Sequence, residues 1–215
     1  MARRIERVQI AGPAGPLQGL LMLPEPSRAG AALLCHPHPR HGGTMHSSAL
    51  VHAARALESL GLAVLRFNFR GAGQSAGSHT GGPGERRDAE AALSWLADRH
   101  PHEPLLVGGF SFGAWVGLAV GAERAGVGAL IGIAPPLALY DFAFLEPGTT
   151  PLLCVAGDAD PFCPVRALVD LQARLGPRLQ LGILAGAGHL LATHPRELEN
   201  AVRRFAATTL GDGPA

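Results

Sequence analysis

The sequence predicts an α/β protein, with a mostly parallel central sheet covered by helices on both faces and an N-terminal antiparallel hairpin. From residue 31 onwards, short apolar runs alternate with segments of helical pattern. Strands separated by helices need the crossover connections of a parallel sheet, and these connections place helices on its faces. Before this alternation, two extended segments flank the turn-forming loop Gly12-Pro13-Ala14-Gly15-Pro16, which is typical of a hairpin.

The individual elements follow from the same patterns in chain order. The two extended segments of the hairpin are 4–10 and 17–23. Apolar runs of strand length then predict strands at 31–35, 63–69, 105–108, 128–134, 151–156 and 179–184. Longer segments with apolar residues at helical spacing predict helices at 47–60, 84–99, 112–123, 165–175 and 195–210. About eighteen residues separate Ala134 from Leu152, too few for a packed helical lid, so we expect no cap domain.

Length and composition limit the kind of protein. A chain of 215 residues, 47% of them hydrophobic, buries one sizeable core, and no linker divides it, so we expect a single domain over residues 1–215. The formal net charge of +1 gives no reason to expect nucleic acid or a membrane as partner. The first residues lack the apolar stretch of a secretory signal, which predicts a cytoplasmic protein. Cys35, Cys154 and Cys163 have no metal-ligand spacing, so we expect reduced, structural thiols.

One serine lies where a nucleophile is expected. The pentapeptide Gly109-Phe110-Ser111-Phe112-Gly113 falls between the apolar run at 105–108 and a helical segment. On such a tight turn the serine hydroxyl is lifted off the sheet into a cleft, and the flanking glycines remove clashing side chains. The alternative is a small residue that closes a tight contact between helix and strand. The same spacing recurs around Ser75, but a loop follows it rather than a helix, so we interpret Ser75 as turn chemistry.

Polar residues after other predicted strands offer partners for Ser111. The carboxyl ends of the strands form the ligand crevice of such a sheet. Asp158 and Asp160 follow one strand and His189 follows the next, so serine, acid and histidine come in the chain order of one hydrolase fold. A serine hydroxyl needs a base to take its proton and an acid to orient that base. From the residues alone either aspartate fits as the acid, and the alternative for His189 is a structural histidine at a turn.

With these motifs the chain resembles the α/β-hydrolase superfamily, and specifically its small, cap-less, dienelactone-hydrolase-like branch of predicted esterases. Besides the serine pentapeptide, the motifs are His36-Pro37-His38-Pro39 leading to Gly42-Gly43-Thr44, then Arg66-Phe67-Asn68-Phe69-Arg70-Gly71-Ala72-Gly73-Gln74-Ser75, and Gly186-Ala187-Gly188-His189. The resemblance implies a triad of Ser111, an aspartate and His189 that hydrolyses an ester or related acyl compound. In related enzymes the acid comes three residues after a glycine and shortly before a proline, which favours Asp160. Asp158 would then bond nearby backbone amides.

The oxyanion of the tetrahedral intermediate also needs hydrogen-bond donors. In this fold one donor is the backbone amide of the residue after the nucleophile, here Phe112, and a second comes from the first loop between strand and helix. Pro37 and Pro39 have no amide hydrogen, so we expect His38 to be the second donor. Many relatives carry glycine at the position of Pro37, and this chain departs from them there.

Two further features concern ligands. The histidines at 36, 38, 41 and 46 raise the alternative of a metal site, but apart from Cys35 no carboxylate or cysteine set lies near them at ligand spacing, so we expect no metal. The candidate substrate-pocket residues are His36, Phe110, Tyr140 and Phe142. The apolar segment around Tyr140 and Phe142 could line an acyl pocket or form the contact of a homodimer, with burial in the core as the alternative.

Together these observations predict a cytoplasmic serine carboxylesterase without a cofactor. Its partner would be a small-molecule ester of a short to medium acyl chain, cleaved through an acyl-enzyme intermediate. The alternatives are a thioesterase, an amidase or an acyltransferase on the same triad, and a binding protein that retains the fold with a silent site.

Overall fold

Eight strands form one mixed sheet in the computed structural model, which describes residues 3–24 and 30–210. The strands are β1 (Arg3–Gly12), β2 (Gly15–Pro24), β3 (Ala31–Cys35), β4 (Ala63–Phe67), β5 (Leu105–Phe110), β6 (Val127–Ile133), β7 (Leu152–Gly157) and β8 (Leu179–Leu184). Their order across the sheet is β1-β2-β4-β3-β5-β6-β7-β8. The hairpin β1–β2 is antiparallel and joins β4 in antiparallel register, whereas β4, β3 and β5 to β8 are parallel to one another. The predicted fold class is therefore confirmed.

Five α-helices pack on this sheet in the described residues. They are α1 (Ser48–Glu58), α2 (Pro83–Ala97), α3 (Phe112–Glu123), α4 (Val165–Leu175) and α5 (Pro195–Leu210). Short 3-10 helices at Pro39–His41, Ala143–Leu145 and Gly176–Arg178 were not predicted. The connection from β6 to β7 holds only the second of these, so the fold has no lid.

Alternate residues of the central strands separate the core into two layers. Leu33 of β3 packs in a cluster with residues of α2, α3 and α4, whereas its neighbour Leu34 packs with residues of α1 and α5. Successive side chains of a strand point to opposite faces, so a strand covered on both faces is apolar along its whole length. This explains why all five residues of β3 are buried. Cys35, Cys154 and Cys163 lie in the first of these layers as buried free thiols.

None of the helices described between residues 3 and 210 is both long and apolar enough to cross a membrane.

A buried ion pair connects the segment after β4 to helix α2. The guanidinium of Arg70 donates to both carboxylate oxygens of Asp88, at 2.9 and 2.7 Å, and the Arg70 backbone amide donates to the same carboxylate at 3.0 Å. The side chains are 7% and 0% exposed. A bidentate pair whose groups are this well bonded holds the loop after β4 against helix α2.

Asp88→Asn should therefore destabilise the fold by about 3–5 kcal/mol, because it leaves the buried guanidinium without its counter-charge. Urea unfolding followed by circular dichroism measures this change. Asp170→Asn is the matched control, since Asp170 lies 3.6 Å from Arg166 in an exposed pair and should cost less than about 0.5 kcal/mol. Equal effects of the two variants would contradict the role given to the buried pair.

Candidate active site

Three strands deliver Ser111, Asp160 and His189 to the same edge of the sheet. Ser111 comes directly after β5, Asp160 lies in the loop after β7, and His189 lies in the loop after β8. Since these strands are parallel, their carboxyl ends face the same way.

The backbone at Ser111 adopts a conformation that is unusual for a residue with a side chain. Its φ is 55° and its ψ is −123°, and its amide donates to the carbonyl of Ile133 at 2.9 Å. The turn leaves no room beside it: a Cβ on Gly109 would lie 2.2 Å from the Gly113 carbonyl oxygen, and a Cβ on Gly113 would lie 2.2 Å from that of Cys35. The two glycines thus allow helix α3 to start directly against the ends of β3 and β5.

The side chains of the three residues form a continuous hydrogen-bond chain. His189 Nε2 lies 2.9 Å from Ser111 Oγ, and His189 Nδ1 lies 2.8 Å from Asp160 Oδ2. The other carboxylate oxygen, Oδ1, accepts from the amides of Phe162 at 2.9 Å and Cys163 at 3.2 Å. An ionised carboxylate only accepts, so Nδ1 carries the proton and Nε2 is the acceptor for the serine hydroxyl.

Asp158, the second aspartate of the loop, has a different partner. Its Oδ1 accepts from the amide of Gly186 at 2.7 Å, which ties the Asp158 loop to the loop that carries His189. Asp160 is 3% exposed and contacts the imidazole, whereas Asp158 is exposed. The structure thus brings only Asp160 to the histidine.

Phe112 and His38, whose backbone amides the sequence predicts as oxyanion donors, both line the cleft that contains Ser111. Phe112 begins helix α3 and His38 precedes the first 3-10 helix, and their rings contact each other with centroids 5.0 Å apart. Within the described residues, neither amide donates to a protein acceptor. Both amides are thus available to a bound group, as an oxyanion hole requires.

An apolar cleft of about 440 Å³ opens at Ser111. Of the candidate pocket residues, Phe110 and Tyr140 line it. The remaining lining is formed by Pro37, His38, His41, Ser111, Phe112, Pro136, Leu139, Phe162, His189 and Leu190. A larger hollow of about 650 Å³ lies along the hairpin. It shares no lining residue with this cleft and contains none of Ser111, Asp160 and His189.

His36 and Phe142, both predicted to line the pocket, are not part of it. The His36 ring is fully buried: Nε2 accepts from the Phe69 amide at 2.9 Å, and Nδ1 lies 2.6 Å from the Pro37 carbonyl oxygen. These partners fix a neutral imidazole that joins two loops. Phe142 is 3% exposed and packs on Phe144 in the core, which was the alternative for this segment.

Next to His38 lies a histidine that the sequence analysis missed. The His79 ring packs on His38 and on Phe112, with centroids 4.5 and 5.5 Å away, and its Nδ1 lies 3.0 Å from Glu85 Oε1. Glu85 is fully buried, and its carboxylate accepts from the Thr80 amide and hydroxyl and from the Gly82 amide. Burial alone would raise the pKa of Glu85, but these hydrogen bonds outweigh it and hold the pKa below its ordinary value.

Residues 3–24 and 30–210 contain no group of three or more histidine, cysteine, aspartate or glutamate side chains placed to hold a metal ion. The rings of His38 and His41 pack on each other, 4.7 Å between centroids, while His36 is occupied by backbone partners. The pKa of His38 is lowered by burial and then by the neighbouring His79, His41 and Arg40.

The chain is similar to several known proteins in sequence and in fold. Residues 39–147 match the family model described as serine aminopeptidase, S33. A solved serine α/β hydrolase without a lid, from Xanthomonas campestris, is 34% identical over 99% of this chain and 96% of its own, with a TM-score of 0.88. An uncharacterised protein of Rickettsia prowazekii is 33% identical over 94% of this chain and 89% of its own length. A Pyrococcus furiosus esterase is 21% identical, covers 97% of this chain and 93% of its own at a TM-score of 0.81, and shares the fold.

The buried imidazole of His36 should make stability depend on pH. Burial lowers its pKa from 6.5 to about 4. As pH falls below 6.5 the unfolded chain therefore takes up the proton before the folded protein does, so stability is lost between pH 6.5 and 4, by about 3 kcal/mol from this group. His36→Asn should lose that much less stability than the wild type between pH 7 and 4, as measured by urea unfolding. His102→Asn replaces an exposed histidine and should leave the pH dependence of the free energy of unfolding as in the wild type. If His36→Asn also showed the pH dependence of the wild type, the role given to His36 would be contradicted.

Proposed function

Since the chain belongs to the family described as serine aminopeptidase, S33, and to the lid-less serine hydrolases of the α/β-hydrolase superfamily, we propose that it is a serine carboxylesterase. Its substrates are carboxylic esters of short to medium acyl chains. One observation carries this proposal: the Ser111–His189–Asp160 hydrogen-bond chain ends, at its serine, in an apolar cleft.

The reaction begins with attack by Ser111 on the ester carbonyl. A neutral hydroxyl is a weak nucleophile, so His189 Nε2, 2.9 Å away, takes its proton as the new C–O bond forms. The imidazolium that results is stabilised by Asp160 at Nδ1. The amides of Phe112 and His38 donate to the oxyanion of the tetrahedral intermediate, and the loss of one such donor typically costs about 100- to 1,000-fold in turnover.

Collapse of the intermediate releases the alcohol and leaves an acyl group on Ser111. His189 gives its proton to the alkoxide as the C–O bond of the ester breaks. A water molecule then attacks the acyl-enzyme with His189 as base, and the acid leaves with the serine restored.

The chemistry of the cleft favours esters over peptides. An aminopeptidase must recognise a protonated α-amine, for which a carboxylate is the usual partner. The side chains that line this cleft are apolar or imidazoles, together with the Ser111 hydroxyl and the Tyr140 phenol. Such a lining suits an uncharged ester with an apolar acyl group. The likeness to a Pyrococcus esterase agrees with this choice.

A fluorophosphonate probe should label the wild type at one serine, with the matching increase in intact mass. Ser111→Ala should lose both this label and at least about 10⁴-fold in the hydrolysis of p-nitrophenyl butyrate, because the nucleophile is gone. Ser75→Ala is the matched control from the second pentapeptide, since the Ser75 hydroxyl bonds the backbone of Gln18 and Asn68. An unlabelled wild type would favour the silent binding protein, and a labelled Ser111→Ala would exclude Ser111 as the nucleophile.

The two aspartates should differ in their effect on turnover. Asp160→Asn removes the group that fixes the tautomer of His189 and should lower kcat by about 10⁴-fold. Asp158→Asn weakens one exposed bond to the Gly186 amide, worth about 1 kcal/mol, so kcat should fall by less than about tenfold. Steady-state kinetics on p-nitrophenyl esters of increasing acyl length compares both variants. The opposite ranking would identify Asp158 as the acid.

A further inference from the structure

The proposed reaction fixes which part of the ester lies beside His189. Resting on that function, His189 Nε2 must give its proton to the leaving alkoxide, so the alcohol oxygen comes within hydrogen-bond reach of this nitrogen. The side chains around His189 that remain open to the cleft therefore contact the alcohol half of the ester. Their chemistry indicates which alcohols are accepted.

The surroundings of His189 are apolar. The Phe162 ring meets the imidazole edge-on with centroids 4.9 Å apart, and the Phe110 ring lies 5.5 Å away. Leu190 follows His189 in the chain and lines the same cleft. Asp160, the acidic neighbour, is 3% exposed and committed to Nδ1, so it presents little surface to a ligand.

The apolar side chains at this mouth are also unusually open to solvent. Six large hydrophobic side chains are exposed among the described residues, and three of them line this cleft: Leu139 at 60%, Phe162 at 41% and Leu190 at 66%. Single exposed apolar side chains are common, but their concentration at one site marks a binding surface. The imidazole of His38 packs instead on Phe112, and that of His41 packs on His38, on the side of the proposed oxyanion amides.

We propose that the enzyme selects esters of apolar alkyl or aryl alcohols, whose alcohol half packs against Phe162 and Leu190 beside His189. The leaving alcohol then lies against the two side chains as it receives its proton. Phe162 and Leu190 thus determine specificity for the alcohol, while Ser111, His189 and the oxyanion amides carry out the chemistry.

Two series of esters test this assignment. The first keeps acetate constant and lengthens the alcohol from ethyl to butyl and hexyl, with a diether alcohol of hexyl length as polar comparison. The second keeps ethanol constant and lengthens the acyl group from acetate to butyrate and hexanoate. Acid release is followed by pH-stat titration below the solubility limit of each ester, and kcat/KM is compared, because it reports the steps up to alcohol release.

In the wild type, kcat/KM should rise about twofold per methylene of the alcohol. This factor is smaller than the one expected for a methylene that is fully buried, because the mouth of the cleft is open. The diether ester should fall below hexyl acetate. Leu190→Ser should flatten the alcohol series, and Leu190→Met should restore its slope. Val169→Ser alters a side chain that is 50% exposed outside the cleft and should leave both series unchanged. Thermal unfolding checks that each variant is folded.

Three outcomes would overturn the inference while the proposed esterase stands. They are a kcat/KM of the wild type that does not rise along the alcohol series, a rise along that series that Leu190→Ser leaves unchanged, and a Leu190→Ser variant that flattens the acyl series instead of the alcohol series. A further pH-stat series takes hexyl acetate above its solubility limit. A rate that rises only there would assign the mouth to aggregated lipid rather than to single ester molecules, and would also overturn the inference. Failure of the proposed function has a different signature, since neither series would then be hydrolysed in a way that depends on Ser111.

Discussion

The close approach of helix α3 to the ends of β3 and β5 is the constraint on which the site depends. Gly109 and Gly113 permit this approach, because a methyl group on either would lie 2.2 Å from a carbonyl oxygen. Ser111, between them, is held at a φ of 55°, a conformation that costs of order 1–3 kcal/mol and persists only where the surroundings enforce it. One contact that holds this conformation is the hydrogen bond that the Ser111 amide donates to the carbonyl of Ile133 in the neighbouring strand. The same turn brings the hydroxyl of Ser111 and the free amide of Phe112 close together, and this placement is what the strained backbone achieves.

Three histidines lie around this turn, and the bonding partners of each one determine its role. His36 is fully buried between two backbone groups, so burial keeps it neutral and it acts as a fixed connector of loops. His189 keeps 17% of its side chain exposed. Its Nδ1 bonds to the Asp160 carboxylate, and its Nε2 lies within hydrogen-bond distance of the Ser111 hydroxyl, where the proposed mechanism needs a base. His79 lies behind His38 and next to a buried Glu85, where it supports the loop that supplies one of the proposed oxyanion amides.

The sequence predicted those parts of the molecule that depend on local pattern. The bounds of β3, β8, α3, α4 and α5 agree with the prediction, because a continuous apolar run or an amphipathic pattern marks each of them in the sequence. The position of Ser111 was readable for the same reason, whereas the choice of Asp160 over Asp158 needed a family pattern. His36 and Phe142 were assigned wrongly, since their partners Phe69 and Phe144 are brought to them only by the folded chain. Phe162, Leu190 and His79 were missed because exposure and ring contacts between loops leave no periodic signal.

Because the fold has no lid, the cleft is open, and this openness affects both the side chains at its mouth and the reaction that the site can perform. Burying a Leu or Phe side chain stabilises a protein by about 1.5–3 kcal/mol, so leaving Leu139, Phe162 and Leu190 open forgoes a measurable amount of stability. A bound apolar group recovers part of it, which favours substrates that cover the mouth themselves. Such an open cleft also leaves an acyl group on Ser111 within reach of water once the alcohol departs. Transfer of the acyl group to a second alcohol would require that water be excluded from the cleft. The open cleft therefore supports hydrolysis, as in the proposed function, over acyl transfer.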